Sequence, residues 1–302
     1  MTQLRIAHFS DTHVLSLKGV GVREFLNKRM TGAVNLAFNR AKHYRVEVFE
    51  QLLDAVLAVE PDHSVCTGDL VNLALEPEFV RVRELLTERF EAENLTLVPG
   101  NHDYYTKGAV QEGLFESYFK EYLPQDLESE STPESPYPIT RNLGDVVIVG
   151  LSSAIPTPSF MATGEIGESQ RDQLKTLLSH PTAQESFKLL MLHHPLFAEP
   201  ARRFDHARRL KDADLLIEAI DVEECHPDLI IHGHNHEYKR QALPKTQAPV
   251  LQVGSASRAG KKRAEFHIYV IEDQKLMRVE RHIHQPESGQ FIPHAEDGTP
   301  LV

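Results

Sequence analysis

The sequence is poor in cysteine, with only Cys66 and Cys225 among its 302 residues. Each lies in or beside an apolar stretch and neither belongs to a paired spacing, which argues against a disulfide framework or a zinc knuckle. Long apolar runs are also missing, so the sequence predicts no membrane-spanning helix. The start, MTQLRIAHFSDTH, lacks the charged and apolar regions of a signal peptide, and we therefore expect a cytoplasmic protein.

The formal net charge of −12 argues against a surface built for nucleic acid, because binding phosphates requires clustered lysine and arginine. Basic residues are concentrated locally, since residues 14–45 carry seven lysines and arginines against one glutamate, 7 − 1 = +6. Apolar residues recur there at four-residue steps, which predicts a basic amphipathic insertion over 14–45. We expect it to bind an anionic substrate through Arg23 and Arg29, to make peripheral contact with an acidic membrane surface, or to pack over the sheet as a solvated helix.

Short β-rich apolar runs alternate with longer stretches of helical period, which is the pattern of an α/β fold. Strands are predicted at Leu4–Ser10, His63–Thr67, Leu95–Val98, Val146–Leu151, Leu189–Leu192 and Leu229–His232. Helices are predicted at Val46–Val59, Phe79–Phe90, Phe115–Tyr122, Gln170–Leu178 and Ala213–Ile220. Four later runs without helices predict the strands of a second sheet: Tyr238–Leu243, Val250–Val253, Phe266–Ile271 and Leu276–His282. We expect two stacked mixed sheets flanked by helices, in a single domain over 1–285 with a C-terminal tail over 286–302.

Polar side chains follow five of the predicted strands. They are Asp11 and His13 in DTH, Asp69 in GDLVN, Asn101, His102 and Asp103 in GNHD, His193 and His194 in HHP, and His234 and His236 in GHNH. Ligands of open α/β sheets lie beyond the carboxyl ends of the strands, so five such ends in one chain predict a common site. Carboxylate, amide and imidazole donors without a thiolate suit manganese, iron or zinc, and the donors suffice for two ions.

Taken in order, these five motifs resemble the signature of the calcineurin-like metallophosphoesterase superfamily. The resemblance extends from Asp11 to His236 and implies a four-layer α/β/β/α sandwich with a binuclear centre of two divalent or trivalent metal ions. The ligands that it implies are Asp69, bridging both ions, Asp11, His13 and His236 at one ion, and Asn101, His193 and His234 at the other.

Two such ions can share a hydroxide and neutralise charge on the phosphoryl oxygens, so we expect water rather than a side chain to be the nucleophile. His102 is expected to protonate the leaving oxygen or to stabilise the transition state, and Asp103 to orient its ring. His194 is expected either to support a ligand or to face the substrate.

Two further basic loops follow site motifs, one between Arg202 and Lys211 and one between Arg258 and Arg263. Together with the insertion they favour a substrate that carries more negative charge than a single diester.

The GNHD and HHP pattern is similar to the branch that contains cyclic-nucleotide and glycerophosphodiester phosphodiesterases. A phosphodiesterase acting on a small anionic phosphodiester is therefore the leading hypothesis. The alternative is a pyrophosphatase acting on a nucleotide-linked lipid, of the UDP-diacylglucosamine type. A nuclease fits less well because the protein has a negative net charge. A non-catalytic metal-binding scaffold also fits less well, because all seven ligands and His102 are present.

Overall fold

The computed structural model describes residues 3–21, 44–128, 135–199, 205–223 and 225–294. Most of the predicted basic insertion, including Arg23 and Arg29, lies outside these residues, as do Arg202 and Arg203 of the second basic loop. No helix in the described part of the chain combines the length and the apolarity that a bilayer span requires.

Twelve strands are found in the described residues. They are β1 Gln3–Phe9, β2 His63–Cys66, β3 Leu95–Leu97, β4 Ile139–Asn142, β5 Val146–Gly150, β6 Phe187–Met191, β7 Leu229–His232, β8 Lys239–Ala242, β9 Pro249–Gln252, β10 Glu265–Glu272, β11 Lys275–Gln285 and β12 Gln290–His294. The α-helices described are α1 Val46–Ala58, α2 Glu76–Thr87, α3 Lys107–Gln111, α4 Leu114–Phe119, α5 Glu168–Leu178, α6 Pro181–Gln184 and α7 Ala213–Ile220.

The strands form two six-stranded mixed sheets, in the orders β12-β11-β10-β1-β2-β3 and β4-β5-β6-β7-β9-β8. In the first sheet β1, β2 and β3 run parallel, and β10 pairs antiparallel to β1. In the second sheet β5, β6, β7 and β9 run parallel, with β4 and β8 antiparallel at its edges. The α/β fold with two mixed sheets and flanking helices is thus confirmed.

The predicted grouping of the C-terminal strands is wrong. Only β8 and β9 join the second sheet, whereas β10, β11 and β12 return to the first. Alternating apolar residues show that a strand has a buried face, but they do not identify the strand beside it. The pairing depends on long-range backbone bonds, such as those that set His8 opposite His267. Within the predicted tail over 286–302, Gln290–His294 forms edge strand β12.

Side chains of β5 show how the layers are built. Val146 and Ile148 face the first sheet and belong to the large core between the sheets, while Val147 and Val149 face outward against α5 and α7. On the other side of the molecule the buried face of α1 covers β1, with the rings of Phe49 and Phe9 6.2 Å apart. Since both sheets are covered on both faces, the polar side chains gather at the strand ends.

Helix α2 begins three residues before the predicted start at Phe79. Leu75 lies at its N-cap, and the backbone N–H of Leu75 donates to the Glu78 carboxylate over 3.1 Å. The same carboxylate also accepts from the N–H of Leu73 at 2.9 Å. Glu78 is fully buried, so this cap fixes the chain that leads from β2 into the helix.

Candidate metal centre

The five strand ends with polar side chains meet at one edge of the sandwich. β1 leads to Asp11 and His13, and β2 leads to Asp69 through a tight turn. The N–H of Asp11 bonds to the carbonyl oxygen of Gly68 at 2.9 Å, and that of His13 bonds to the carbonyl oxygen of Asp69 at 3.0 Å. A Cβ at Gly68 would collide with the backbone of Gly100, so glycine allows the loops after β2 and β3 to touch.

The first cluster contains Asp11, His13, Asp69 and His236, whose donor atoms all lie within 4.8 Å of one another. Nε2 of His236 lies 2.9 Å from Oδ1 of Asp11 and 3.0 Å from Nε2 of His13. Nε2 of His13 is also 3.8 Å from Oδ2 of Asp69. Two imidazole nitrogens and two carboxylate oxygens therefore face one small volume, an arrangement that fits a shared cation.

The second cluster contains Asp69, His193 and His234, again within 4.8 Å. Nε2 of His193 lies 3.4 Å from Oδ2 of Asp69 and 3.1 Å from Nδ1 of His234. The other ring nitrogen of His193 bonds to the carbonyl oxygen of Thr67 at 2.7 Å, so the ring is held with Nε2 towards the cluster. Asp69 Oδ2 lies next to His13 on one side and His193 on the other.

Asn101 is the seventh predicted ligand, and the backbone of the next residue bonds to Asp69, the carboxylate that the two clusters share. The N–H of His102 donates to Oδ1 of Asp69 over 2.7 Å, which fixes the loop after β3 against that carboxylate. Oδ1 of Asn101 is buried and has no hydrogen-bond partner among the described residues. A buried amide oxygen without a donor is costly, and a bound cation would satisfy it.

Backbone strain is concentrated at these side chains. Among the seven predicted ligands, five have a positive φ: Asp11 at 56°, His13 at 46°, Asp69 at 55°, His234 at 74° and His236 at 56°. Residues with a side chain seldom adopt this left-handed region, and each such residue costs roughly 1–3 kcal/mol. The surrounding loops impose conformations that aim the five side chains inward, at the expense of stability.

The electrostatics of the clusters favour a positive charge. Burial raises the pKa of a carboxyl group, but the nearby rings of His193 and His102 hold the pKa of Asp69 well below its usual value. Burial lowers the pKa of the His193 ring. The nearby Asp69 carboxylate outweighs burial and raises this pKa to about 9. Burial and the nearby Arg208 keep the pKa of His234 low. An ionised carboxylate is thus buried between imidazoles, where a cation would be stabilised.

His102 lies at the rim of the first cluster, with its ring centroid 4.8 Å from that of His13. Nδ1 of His102 is 2.5 Å from the carbonyl oxygen of Asn72, which fixes the ring. The side-chain amide of Asn72 in turn donates to the carbonyl oxygen of His13. Asn72 thereby links the two histidines; it stands in the GDLVN motif, although the sequence analysis gave it no role.

The role predicted for Asp103, which is to orient the ring of His102, stays a prediction. Its buried carboxylate accepts hydrogen bonds from the backbone N–H groups of Gly100 at 2.8 Å, Leu70 at 2.9 Å and Val71 at 3.1 Å, and none from the ring of His102. Burial and the nearby Asp69 raise its pKa to about 8. A buried carboxyl group needs hydrogen-bond partners. The turn after β2 offers two N–H groups and Gly100 in the loop after β3 offers a third, so Asp103 joins the two site loops.

His194 is fully buried and packs against His234, with 4.6 Å between ring centroids. Its Nδ1 lies 2.8 Å from the hydroxyl of Ser153, which also accepts from the backbone N–H of His194 at 3.1 Å. These bonds fit the supporting role. The substrate contact that was predicted for His194 stays a prediction.

Tyr44 is a site residue that the sequence analysis missed. Its hydroxyl lies 2.7 Å from Nδ1 of His236, and its ring packs at 4.8 Å against that of His13. It precedes α1 by two residues and belongs to no motif, so the sequence carried no signal for it.

Comparisons with known proteins identify the family and agree with the fold. A family model described as calcineurin-like phosphoesterase matches residues 4–238, more than half of the chain. Comparison with curated protein sequences gave no match. Among solved structures, a dimetal phosphatase from Danio rerio is 12% identical with a TM-score of 0.59, over 93% of this chain and 95% of that one.

Two larger proteins share the fold. A purple acid phosphatase from yellow lupin (Lupinus luteus) seeds is 12% identical with a TM-score of 0.57, over 97% of this chain and 53% of that one. A putative 5′-nucleotidase from Staphylococcus aureus is 14% identical with a TM-score of 0.50, over 98% of this chain and 55% of that one. The chain therefore spans about half the length of these two proteins.

Proposed function

The chain belongs to the calcineurin-like phosphoesterase family, and on that premise we propose that it is a phosphodiesterase with two metal ions. In this proposal Asp69 serves both ions. Asp11, His13 and His236 complete one ion, and Asn101, His193 and His234 complete the other.

One observation carries the proposal: Asp69 belongs to both clusters of donor atoms. Its Oδ2 lies 3.8 Å from Nε2 of His13 in the first cluster and 3.4 Å from Nε2 of His193 in the second. A carboxylate between two separate groups of imidazoles is the arrangement that a metal pair requires.

The donor set also limits the metals. The clusters offer oxygen and imidazole nitrogen but no sulfur, although Cys66 lies only three residues before Asp69. Complete burial raises the pKa of the Cys66 thiol well above its usual value, so it stays protonated and is a poor ligand. We therefore propose manganese, iron or zinc rather than a copper or iron–sulfur site.

Bound at these clusters, two ions would lower the pKa of an attacking water and neutralise charge that develops on the phosphoryl oxygens. The protein itself supplies a fixed imidazole beside them. Nδ1 of His102 bonds to Asn72 at 2.5 Å, and in this proposal Nε2 gives a proton to a departing alkoxide or bonds a phosphoryl oxygen. The Tyr44 hydroxyl bonds to Nδ1 of His236, and the carbonyl oxygen of Thr67 bonds to Nδ1 of His193. Each of these two rings therefore presents Nε2 to its cluster.

The test is turnover of p-nitrophenyl esters by protein reconstituted with Mn²⁺. We expect bis(p-nitrophenyl) phosphate to be hydrolysed faster than the monoester p-nitrophenyl phosphate. Asp69→Asn should abolish this activity. Asp62→Asn, at the opposite end of β2, is the control and should leave it intact. Preference for the monoester would contradict the assignment as a phosphodiesterase, and no turnover of any phosphoester would support the non-catalytic scaffold.

A further inference from the structure

A cavity of about 610 Å³ adjoins the metal centre, with His236 forming part of its wall. The lining also includes three consecutive basic residues, Lys261, Lys262 and Arg263, together with Glu265 and Arg281. A ring assigned to the metal centre therefore faces the same space as a run of cationic side chains.

The loop that carries these cations is anchored to the metal centre. It follows β9, and the Ser255 hydroxyl donates to the carbonyl oxygen of Asp11 over 2.7 Å. The next residue, Ala256, donates its N–H to the carbonyl oxygen of Ser10 at 2.8 Å. The loop is therefore bonded to the strand end that supplies a ligand, five residues before Lys261, the first of the three consecutive basic residues.

The charges that line the cavity do not cancel. Four cations face two carboxylates. Arg281 pairs with Glu265 at 2.6 Å, and Lys262 pairs with Glu237 at 2.9 Å. The pKa of Glu265 is lowered to about 2 by His267 and Arg281 against the effect of burial, so this carboxylate neutralises Arg281 at physiological pH.

Two cations remain. Arg263 bonds to the neutral side chain of Gln285 at 2.7 Å. No described carboxylate lies within 4.0 Å of the side chain of Lys261 or Arg263. The described residues that line the cavity therefore carry an excess of two positive charges, in a protein whose formal net charge is −12.

A second cavity, of about 1010 Å³, lies near His102, and its described lining residues have the opposite charge balance. It begins at Tyr105, whose ring stacks on that of His102 with 5.4 Å between centroids. Its charged lining residues among those described are Glu76, Glu112 and Lys107, which together give a charge of −1. The described residues thus favour an anionic group on the His236 side over the His102 side.

We propose that the cavity beside His236 binds an anionic group of the substrate, a phosphate or a carboxylate. This group belongs to the substituent that stays on phosphorus, while the leaving alcohol departs on the His102 side. The proposal rests on the proposed function and narrows its substrate class to phosphodiesters with a second negative charge on one substituent.

Two substrates whose substituents share a three-carbon chain test it. p-Nitrophenyl 2-carboxyethyl phosphate and p-nitrophenyl propyl phosphate share a leaving group and differ in whether a carboxylate or a methyl terminus reaches the cavity. We expect Mn²⁺-loaded protein to prefer the carboxylate ester in kcat/KM. The double variant Lys261→Gln, Arg263→Gln should lose roughly tenfold on that ester, since each exposed charge pair contributes modestly, and should keep its rate on the propyl ester. The preference should shrink as ionic strength rises.

The matched control removes two positive charges at the far ends of the strands. Lys245 lies in the turn between β8 and β9, and Lys275 lies at the hairpin between β10 and β11. The double variant Lys245→Gln, Lys275→Gln should retain the full preference. Equal loss in this control would show an effect of net charge on the whole protein and would overturn the proposal.

Binding provides a readout apart from turnover. By calorimetry, 3-phosphonopropionate should bind Mn²⁺-loaded protein more tightly than propylphosphonate does, and Lys261→Gln, Arg263→Gln should remove the difference. If both esters are hydrolysed equally well by wild type and variant, the anion site is refuted while the phosphodiesterase stands. If neither ester is hydrolysed, the proposed function fails, and the calorimetric comparison alone decides on the anion site.

Discussion

The hydroxyl of Tyr44 lies 2.7 Å from Nδ1 of His236, on the side of the ring that faces away from the metal centre. Nε2 of the same ring lies 2.9 Å from Oδ1 of Asp11. This contact fixes both the tautomer and the rotation of a ring that we assign as a ligand. Partners of this kind contribute to metal affinity although they do not touch the metal.

Tyr44→Phe should therefore weaken metal binding without abolishing it. The substitution keeps the ring that packs on His13 and removes only the hydroxyl. We expect a loss of about 10–100-fold in the affinity of the more weakly held ion, measured by Mn²⁺ titration. Tyr118→Phe, which removes a hydroxyl bonded to Glu76 on the surface, is the control. Unchanged affinity in Tyr44→Phe would mean that His236 needs no support from Tyr44.

The positive φ of His13, 46°, predicts an unusual order of stability between two variants that lack the same ligand. Glycine tolerates this conformation and alanine does not, so His13→Gly should be more stable than His13→Ala by about 1 kcal/mol. Urea unfolding in metal-free buffer measures the difference. At His193, which has no positive φ, the order should be reversed. If the alanine variant is more stable than the glycine variant at both positions, the backbone strain at His13 is refuted.

His102→Ala should keep its metals and lose rate in a way that depends on the leaving group. An alkoxide needs the proton that His102 supplies, whereas p-nitrophenolate departs without it. We expect a loss of about 10²–10⁴-fold on an alkyl ester and a much smaller loss on a nitrophenyl ester. Bound metal and the two rates are measured on the same sample. Loss of metal, with equal loss of rate on both esters, would show that His102 is a ligand. Equal loss of rate with the metal retained would show that His102 stabilises the phosphoryl oxygens.

Glu265 should stabilise the fold in a pH-dependent way. Its pKa is lowered from 4.5 to about 2 in the folded protein, against burial, by His267 and Arg281. The folded pKa lies below the unfolded one, so the stabilisation is present above about pH 4.5 and is lost as the pH falls towards 2. Glu265→Gln should cost about 3 kcal/mol in the free energy of unfolding at pH 7.

Urea unfolding repeated at pH values below 4.5 should give a smaller difference in the free energy of unfolding between wild type and Glu265→Gln. Glu218→Gln, at an exposed position of α7, is the control and should change stability little at any pH. A gap that stays constant with pH would mean that the loss comes from packing and not from the ionised carboxylate.

The sequence predicted the elements of the fold better than their partners. The predicted helix at Ala213–Ile220 and the predicted strand at Leu229–His232 agree residue for residue with α7 and β7, because apolar periodicity and flanking polar residues mark their ends. The return of β10 to β1 was not predicted, since no local pattern records which strand lies alongside.

The clustering of the site side chains was predictable because each motif follows a strand, and parallel strands of a sheet end at the same edge. The orientation of single side chains was not. Asp103 and His102 are neighbours in sequence, yet backbone N–H groups of a distant turn compete successfully for the carboxylate. Tyr44 reaches His236 across 192 positions of the sequence, a separation that residue patterns do not register.

The central claim is that Asp69 bridges two metal ions. Crystals of the protein loaded with Mn²⁺ and measured at the manganese absorption edge would test it most directly. We predict two anomalous peaks about 3.5–4 Å apart, one on each side of the Asp69 carboxylate, with His13 and His236 at one peak and His193 and His234 at the other. A single peak, or two peaks that do not share Asp69, would contradict it.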